Sequence, residues 1–394
     1  MNEMNLLTET KTKVQNRVSE VSKTLLELSH WLHAHPETAW QEFESAAAVA
    51  KVLRDNGFDV TEQVCGLPTA FRAEFGTGDL TVALCAEYDA LPGLGHACGH
   101  NIIASSSVGA ALALASVAEE LNLKVVVLGT PAEEGGGGKI VMLERGAFDG
   151  VDVAALVHPG PVDVAFAEPF AVRHIAVKYS GKASHAAAYP EQGVNAADAF
   201  TIAQVAIGLL RQQLPSTVRV HGVMTRGGEA PNAIPEVTEG RWYIRATSTK
   251  LMEETYLRVA KCFEAGALAS GCSLEIHDES QPYSEFTNHP NLNELYKTNA
   301  ISIGREFNDD DPRIRMNRAS TDLGNISKVV ASIHPYIGIN SGAAVNHQKE
   351  FAAVCITADA DQAVLDAATA MAMTLVDIAA TDALRTYVKG YSKP

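Results

Sequence analysis

The sequence has little positive charge: 31 lysines and arginines stand against 47 aspartates and glutamates in 394 residues, a formal net charge of −16. This balance argues against binding to nucleic acid or to anionic membranes, which attract basic proteins. The chain also lacks an apolar run close to the roughly twenty residues of a membrane span. Its polar N-terminal stretch lacks the apolar core of a secretory signal. We therefore predict a cytoplasmic protein.

Cysteine is scarce, and the six cysteines show no paired spacing. In a chain of this length, that pattern is typical of reduced thiols rather than of a disulfide framework. Internal repeats, low-complexity tracts and long linkers are also absent. A composition of 46% hydrophobic and 20% charged residues is that of a globular protein, and the length suffices for two domains.

The most informative stretch is residues 87–101, which read EYDALPGLGHACGHN. Its glycines allow a tight loop in which Cys98 and His100 converge on one point. A thiolate and an imidazole together suit zinc, cobalt or manganese better than calcium or magnesium. Taken alone, the stretch is equally consistent with a glycine loop that holds a buried cysteine and an incidental histidine.

Three predicted strands, at residues 80–87, 124–129 and 153–157, alternate with helical segments, which indicates a mostly parallel α/β sheet. We also predict a hairpin turn at residues 76–79. In parallel sheets, ligands bind beyond the carboxyl ends of the strands. All three strands end in side chains that can bind metal. These are Asp89, Cys98 and His100 after the first strand, Glu133 and Glu134 after the second, and His158 after the third.

The Glu133-Glu134 pair precedes four glycines. Adjacent side chains on an extended backbone point in opposite directions, so one carboxylate can bind metal while the other faces substrate as a general base and acid. Alternatively, the pair is two solvated acids at a helix N-terminus. A phosphate-binding loop fails in detail, because Lys139 is followed by Ile140 where such a loop needs serine or threonine.

From residue 171 the pattern becomes β-α-β-β-α-β, a ferredoxin-like unit at residues 171–285. It interrupts a discontinuous catalytic domain of residues 1–170 and 286–394. In the insert, His185 could polarise a substrate carbonyl. Asn232 or Arg245 could hold a substrate carboxylate, although a structural salt bridge explains Arg245 nearly as well.

Two polar runs lie in the last segment, at residues 319–325 and 346–351. Each is typical of a solvated connection between elements. The second contains His347, which alone would be interpreted as a surface histidine.

Taken together, the motifs HACGHN, PAEEGGGGK, HPG, SHAA, PNAIP and NHQKEF resemble the dinuclear metallopeptidase family of aminoacylases and amidohydrolases. That family includes hippurate, auxin-conjugate and p-aminobenzoyl-glutamate hydrolases. The runs AEYDALPGLGHACGHN and STDLGNIS are most similar to a branch of dipeptidases and p-aminobenzoyl-glutamate hydrolase-like proteins. Other branches carry His-x-Asp where this chain has Glu87-Tyr88-Asp89, which favours the cysteine-containing branch.

The resemblance implies an α/β fold: a two-metal peptidase-like catalytic domain with an inserted ferredoxin-like α+β lid domain that forms a homodimer. It implies two divalent metal ions, zinc or manganese, and a small N-acyl-amino acid or dipeptide as substrate. The implied metal ligands are Cys98, His100, Glu134, His158 and His347.

The resemblance also implies roles for other side chains. Glu133 would be the general base and acid, and Asp89 would orient a ligand. His185 would reach the partner subunit's site and stabilise the oxyanion, with Asn232 near the substrate. Glu87 and His96 would have only supporting roles. The alternatives are an inactive metal-binding scaffold of the same fold and a nucleotide-binding protein that uses residues 135–139.

Overall fold

The structure is a computed structural model that describes residues 3–391, and it divides the chain into two compact units. The larger unit combines the described residues up to Glu168 with those from Phe286 onwards, and the smaller is Pro169–Glu285. The strands in chain order are β1 (Asp59–Glu62), β2 (Phe71–Phe75), β3 (Leu80–Glu87), β4 (Leu123–Thr130), β5 (Val153–Ala155), β6 (His158–Gly160), β7 (Ala171–Ser180), β8 (Arg219–Arg226), β9 (Val237–Ala246), β10 (Ser273–Asp278), β11 (Ala331–Ile333) and β12 (Tyr336–Gly338). The α-helices are α1 (Glu3–Ala34), α2 (Phe43–Asp55), α3 (His100–Ala115), α4 (Gly138–Glu144), α5 (Ala196–Arg211), α6 (Thr249–Ser270), α7 (Pro290–Ser302), α8 (Leu323–Ile326), α9 (Lys349–Val354), α10 (Ala358–Ala380) and α11 (Asp382–Tyr391).

The larger unit is built on a six-stranded sheet in the order β1-β2-β4-β3-β5-β11. The four strands β4, β3, β5 and β11 are parallel, β2 pairs antiparallel with β4, and β1 pairs antiparallel with β2. Glu87, the last residue of β3, is opposite Thr130, the last residue of β4. The carboxyl ends of these strands therefore meet at one edge, where the chain places its polar loops.

The predicted hairpin at residues 76–79 is wrong. β2 pairs with β4, and β3 lies between β4 and β5, so β2 and β3 are not neighbours. β3 is almost wholly buried, and an interior position gives it a hydrogen-bonded partner on each edge. Gly78 instead passes against the Asn122 backbone, where an added Cβ would lie 2.1 Å from the carbonyl oxygen.

Helices α1, α3 and α10 pack against one another on the sheet. Small residues allow this close contact: a Cβ at Gly109 in α3 would lie 2.6 Å from Leu25 Cδ1 and 2.8 Å from Ala368 Cβ. Contrary to the sequence prediction, one helix of the described residues, α10, is long and apolar enough to cross a membrane. Because 83% of its most apolar window is buried in the structure, it has the burial of a core helix.

A separate two-stranded parallel sheet, β6 with β12, stands beyond the main sheet. It pairs His158 with Tyr336, whose rings lie 4.8 Å apart between centroids. Sequence reasoning ended the third strand at residue 157. The structure instead starts a new strand at His158, which buries this histidine among aromatic rings.

The smaller unit is an antiparallel sheet in the order β10-β7-β9-β8, with helices α5 and α6. Its core is separate from that of the larger unit and centres on Tyr179, Phe200, Trp242 and Phe263. The β-α-β-β-α-β order is that predicted for the insert. The predicted fold class, α/β with an inserted ferredoxin-like unit, is therefore confirmed.

Candidate metal centre

One fully buried group of side chains that could bind a metal ion is Cys98, His100 and His158. Cys98 Sγ lies 3.5 Å from His158 Nε2, and the donor atoms of all three residues lie within 4.8 Å of one another. Gly99, with φ at +80°, turns the chain between Cys98 and His100. A Cβ at this glycine would lie 2.5 Å from Pro159 Cγ, so the loop can approach β6 only with glycine there.

A second group contains Cys98 again, together with Glu134 and His347. His347 Nε2 lies 3.4 Å from Glu134 Oε1. The His347 backbone N–H donates to Ala97 O at 2.8 Å, which attaches the loop to the cysteine segment. Asn346 strengthens this attachment by donating to the carbonyl oxygens of Cys98 and Pro159. Because Cys98 belongs to both groups, the two lie side by side.

Hydrogen bonds orient the buried histidines. His100 Nδ1 lies 3.0 Å from Asp89 Oδ1, and His158 Nδ1 lies 2.8 Å from Pro159 O. Since both partners accept, each Nδ1 donates to its partner, and each Nε2 is the ring nitrogen that can bind a metal ion. Asp89 Oδ2 also accepts the Glu134 N–H at 2.9 Å, which links the two groups through one carboxylate.

The paired glutamates do not point in opposite directions, so this prediction is wrong. Glu133 Oε2 and Glu134 Oε1 both lie 3.8 Å from His100 Nε2. The physical reason is that the backbone is not extended here: Ala132 has φ at +55°, and residues 133–136 form a turn. Glu133 is buried and joins His100 in a third group with Glu87.

Electrostatic interactions shift the pKa values of the two glutamates in opposite directions. Burial, followed by the charges of Glu87 and Glu134, raises the pKa of Glu133 well above its usual value. Burial also raises the pKa of Glu134, but His347 and His100 outweigh it and lower the value to about 2. One carboxyl group therefore favours holding a proton while its neighbour stays ionised, the pairing that general acid–base chemistry requires.

The thiol and the exposed histidine are also charged groups. Burial and Glu134 raise the pKa of Cys98, but neighbouring histidines outweigh them and lower it to about 6. Burial lowers the pKa of His347, but Cys98 and Glu134 outweigh it and raise it to about 11. A metal ion would displace the proton from such a histidine, so binding should release protons.

The spacing of the donor atoms fits the binding of divalent metal ions. In a tetrahedral zinc site, donor atoms stand about 3.3–3.6 Å apart, given bond lengths of about 2.0–2.3 Å. The Cys98–His158 and Glu134–His347 donor atoms, 3.5 and 3.4 Å apart, match this spacing. His100 Nε2 is buried and has no hydrogen-bond partner among the described residues, which a bound cation would remedy.

Two charged residues near the centre were missed by sequence reasoning. Lys139, fully buried, places Nζ 2.7 Å from Asp322 Oδ1 and 2.6 Å from Glu87 Oε1. Asp322 Oδ2 also accepts the Lys139 N–H at 2.8 Å. The run at residues 319–325 is thus not a solvated connection, because its aspartate is needed to balance a buried ammonium. The available signal was the lysine directly after four glycines.

Glu42 was also missed, and nothing in its local sequence marks it. Its carboxylate accepts the Ala132 N–H at 2.8 Å and the Thr69 hydroxyl at 2.9 Å. It thereby holds the left-handed residue that precedes the glutamate pair. Burial, then the charge of Asp89, raises the pKa of Glu42 to about 7.

The remaining predicted site residues lie in the smaller unit. His185 and Asn232 belong to neighbouring segments, because the Ala186 N–H donates to Asn232 O and His185 bridges Ala233. Both side chains are exposed. Arg245 lies elsewhere in the unit, on β9. Five of the predicted residues thus form the two ligand groups, with Asp89 and Glu133 beside them.

Comparison with known proteins gives consistent results. Residues 83–376 match the model of peptidase family M20/M25/M40. The chain is 41% identical over 382 residues to the Xaa-Arg dipeptidase of Mus musculus, covering 93% of this chain and 88% of that protein. It is 34% identical over 327 residues to one subunit of the p-aminobenzoyl-glutamate hydrolase of Escherichia coli, covering 76% of this chain and 67% of that protein.

Solved structures agree on the fold. A dinuclear metal-binding peptidase of the M20 family from Bacillus subtilis superposes with a TM-score of 0.66 at 21% identity. The match covers 91% of this chain and 99% of that protein. At this identity the likeness is one of fold, and it extends over both units.

Proposed function

The chain belongs to peptidase family M20/M25/M40, and from that premise we propose that it cleaves dipeptides with a C-terminal arginine. It is a metal-dependent hydrolase of amide bonds in dipeptides or N-acyl-amino acids, as the sequence predicted. The mouse dipeptidase, 41% identical over 93% of this chain, supports the choice of an Xaa-Arg dipeptide. The p-aminobenzoyl-glutamate hydrolase relative makes acyl-glutamates the first alternative.

The observation that carries the mechanism is the pair of ligand groups that share Cys98 beside Glu133. In our proposal, Cys98, His100 and His158 hold one divalent ion, and Cys98, Glu134 and His347 hold the other, zinc or manganese in both cases. When bound there, such ions supply Lewis acidity, polarising a carbonyl and lowering the pKa of water. Asp89 keeps the His100 ring in its binding tautomer.

Glu133 is the proposed general base and acid. Its buried carboxylate lies 3.8 Å from His100 Nε2, and its pKa is raised mainly by burial. Cations held by the two groups would lower that pKa, so that the ionised carboxylate can take the proton of the attacking water and give it to the departing amine. This role needs a carboxyl group that changes its protonation state during the reaction, which an amide cannot do.

Glu133→Gln tests this role. The variant should bind metal as the wild type does and lose turnover of Xaa-Arg dipeptides by a factor of about 10² to 10⁴, the usual contribution of general acid–base catalysis. Metal analysis and initial rates measure the two effects separately. Near-normal turnover would refute the mechanism. Bound metal with no turnover of any dipeptide or acyl-amino acid by the wild type would favour the inactive scaffold.

We also propose a homodimer formed through the smaller unit. β8 is an edge strand with an exposed Val223, and α5 exposes Val205 and Leu209. Unpaired edge strands and exposed apolar side chains favour self-association. In this dimer His185 would stabilise the oxyanion in the partner subunit's site, and Asn232 and Arg245 would bind substrate.

The free thiols of all six cysteines fit a reducing compartment, for which we propose the cytoplasm.

Mixing two inactive variants tests the dimer and the role of His185 together. If His185 acts across subunits, a heterodimer of Glu133→Gln with His185→Ala has one complete site, and activity should return on mixing. If His185 acts in its own subunit, both sites of that heterodimer are defective. Light scattering should give twice the chain mass. A monomer with full activity would contradict the proposal.

A further inference from the structure

Trp40 adopts a backbone conformation that bulky residues rarely take. The Gln41 N–H donates to Thr38 O at 2.9 Å, which closes a β-turn over residues 38–41. Trp40, the third residue of this turn, has φ at +67°. Turns with a positive φ at the third residue prefer glycine or asparagine there, and a bulky residue is an outlier. The backbone alone therefore does not explain a tryptophan at this position.

The indole ring of Trp40 lies against the turn that follows the glutamate pair. A Cβ at Gly136 would lie 2.9 Å from Trp40 Nε1 and 2.6 Å from Ala132 Cβ, so both side chains close over one face of this glycine. The indole is half-buried and also packs against the apolar cluster that contains Leu128 and Met142. It therefore links the glycine turn to the packed interior of the larger unit.

The chain on either side of Trp40 also contacts the loops of the candidate metal centre. Glu42 accepts the Ala132 N–H at 2.8 Å, at the start of the turn that carries the glutamate pair. Glu37 O accepts the Ala90 N–H at 2.7 Å, in the loop that follows β3. Residues 37–42 therefore contact both loops that supply candidate ligands, the loop after β3 and the loop after β4.

We infer that Trp40 is a positioning residue, whose indole fixes the glycine turn and through it the carboxylates of Glu133 and Glu134. The inference rests on the proposed two-metal site. Glu134 Oε1 lies 3.4 Å from His347 Nε2, and Glu133 Oε2 lies 3.8 Å from His100 Nε2. A turn without the indole against it would lose these spacings, and a misplacement of about 1 Å lowers turnover by up to about 100-fold. Backbone strain that persists beside a reacting centre is typical of such a role.

Two variants separate the indole ring from the backbone strain. Trp40→Ala and Trp40→Gly both remove the ring, but only glycine adopts φ near +67° without penalty. Trp40→Gly should therefore unfold at a higher urea concentration than Trp40→Ala. Trp31→Ala is the control of equal ring size, since Trp31 is also half-buried but stacks on His35 with 4.4 Å between ring centroids. Each variant is first checked for cooperative unfolding.

Two measurements are made on each folded variant. The first is kcat and KM for alanyl-arginine at saturating zinc. The second is zinc bound per chain, by equilibrium dialysis at buffered free zinc. A role in stability alone would leave kcat unchanged in a variant that is folded and loaded with metal.

We expect kcat to fall about 10- to 100-fold in Trp40→Ala and Trp40→Gly alike, with little change in KM. The affinity for one of the two zinc ions should fall by a similar factor, and Trp31→Ala should match the wild type. Wild-type values in Trp40→Gly, or an equal loss in Trp31→Ala, would overturn the inference alone. A wild type that binds two ions but cleaves no dipeptide would instead overturn the proposed function, and the zinc affinities would still decide the inference.

Discussion

The two halves of the candidate metal centre share Cys98 but are built differently. In the buried half, the side chains of His100 and His158 are almost wholly shielded and belong to regular elements, the first turn of α3 and strand β6. In the outer half, Glu134 and His347 stand on turns, and the His347 side chain is 51% exposed. The difference is that the candidate ligands of one half are shielded from water, whereas a candidate ligand of the other is open to it.

The backbones of the two halves differ in the same way. The buried half turns at Gly99, for which a positive φ carries no penalty. The outer half turns at two residues with side chains, Ala132 and His347, with φ at +55° and +70°. Left-handed residues other than glycine cost about 1–3 kcal/mol each and persist only where surrounding contacts impose them. Glu42 imposes the first, and the Ala97 carbonyl holds the second.

A large contrast in stability is expected between His158→Ala and His347→Ala. With metal removed by a chelator, His158→Ala should lose about 2–3 kcal/mol of unfolding free energy, because a packed ring beside Tyr336 disappears from a buried site. The unfolding free energy of His347→Ala should differ from that of the wild type by less than about 1 kcal/mol, since half of the histidine side chain is in water. Urea unfolding of both chelated variants measures this. Equal losses of unfolding free energy in the two variants would contradict the difference between the two halves.

A pH series addresses how the outer turn is held. The pKa of Glu42 is raised from 4.5 to about 7, so the folded state binds its proton more tightly than the unfolded state. The stabilisation that this proton binding gives the folded state is fully present below pH 4.5 and is lost as the pH rises through 7. The loss of unfolding free energy amounts to about 3 kcal/mol. Glu42→Gln resembles the protonated form and should therefore match the wild type near pH 4.5 and exceed it at pH 8.

This difference is measured by urea unfolding of both chains in chelator across that range. Glutamine can still accept from the Ala132 N–H, so the variant keeps the turn. A difference in stability that does not vary with pH would show that Glu42 is ionised at little cost, and the strained turn would then need another explanation.

The smallest effect concerns His347 itself. In chelator, His347→Gly should be more stable than His347→Ala by about 1 kcal/mol, because only glycine adopts φ near +70° without penalty. As a control, Ala352→Gly in α9 should lose about 0.5–1 kcal/mol, the usual cost of glycine in a helix. If glycine destabilises both positions alike, the outer half carries no backbone strain.

The sequence predicted the parts of the centre that follow from local pattern. Strand ends marked Cys98, His100, Glu134 and His158, because parallel strands bring their carboxyl ends to one edge. His347 depended on the family resemblance alone. The pairing of Lys139 with Asp322 and the contact of Glu42 with Ala132 could not be predicted, because the partners are distant in the chain: 183 residues separate Lys139 from Asp322, and 90 separate Glu42 from Ala132. The prediction that Glu133 and Glu134 point in opposite directions was wrong because Ala132 adopts a left-handed conformation that alanine rarely takes.

The insertion of the smaller unit has a consequence for how the protein is made. Cys98, His100 and His158 precede Pro169–Glu285 in the chain, and His347 follows it. A growing chain on the ribosome therefore exposes all three candidate ligands of the buried half before the insert is synthesised, and the last candidate ligand of the outer half only afterwards. The buried group is thus complete in the chain before synthesis of the insert begins, and the outer group only once residue 347 has been added.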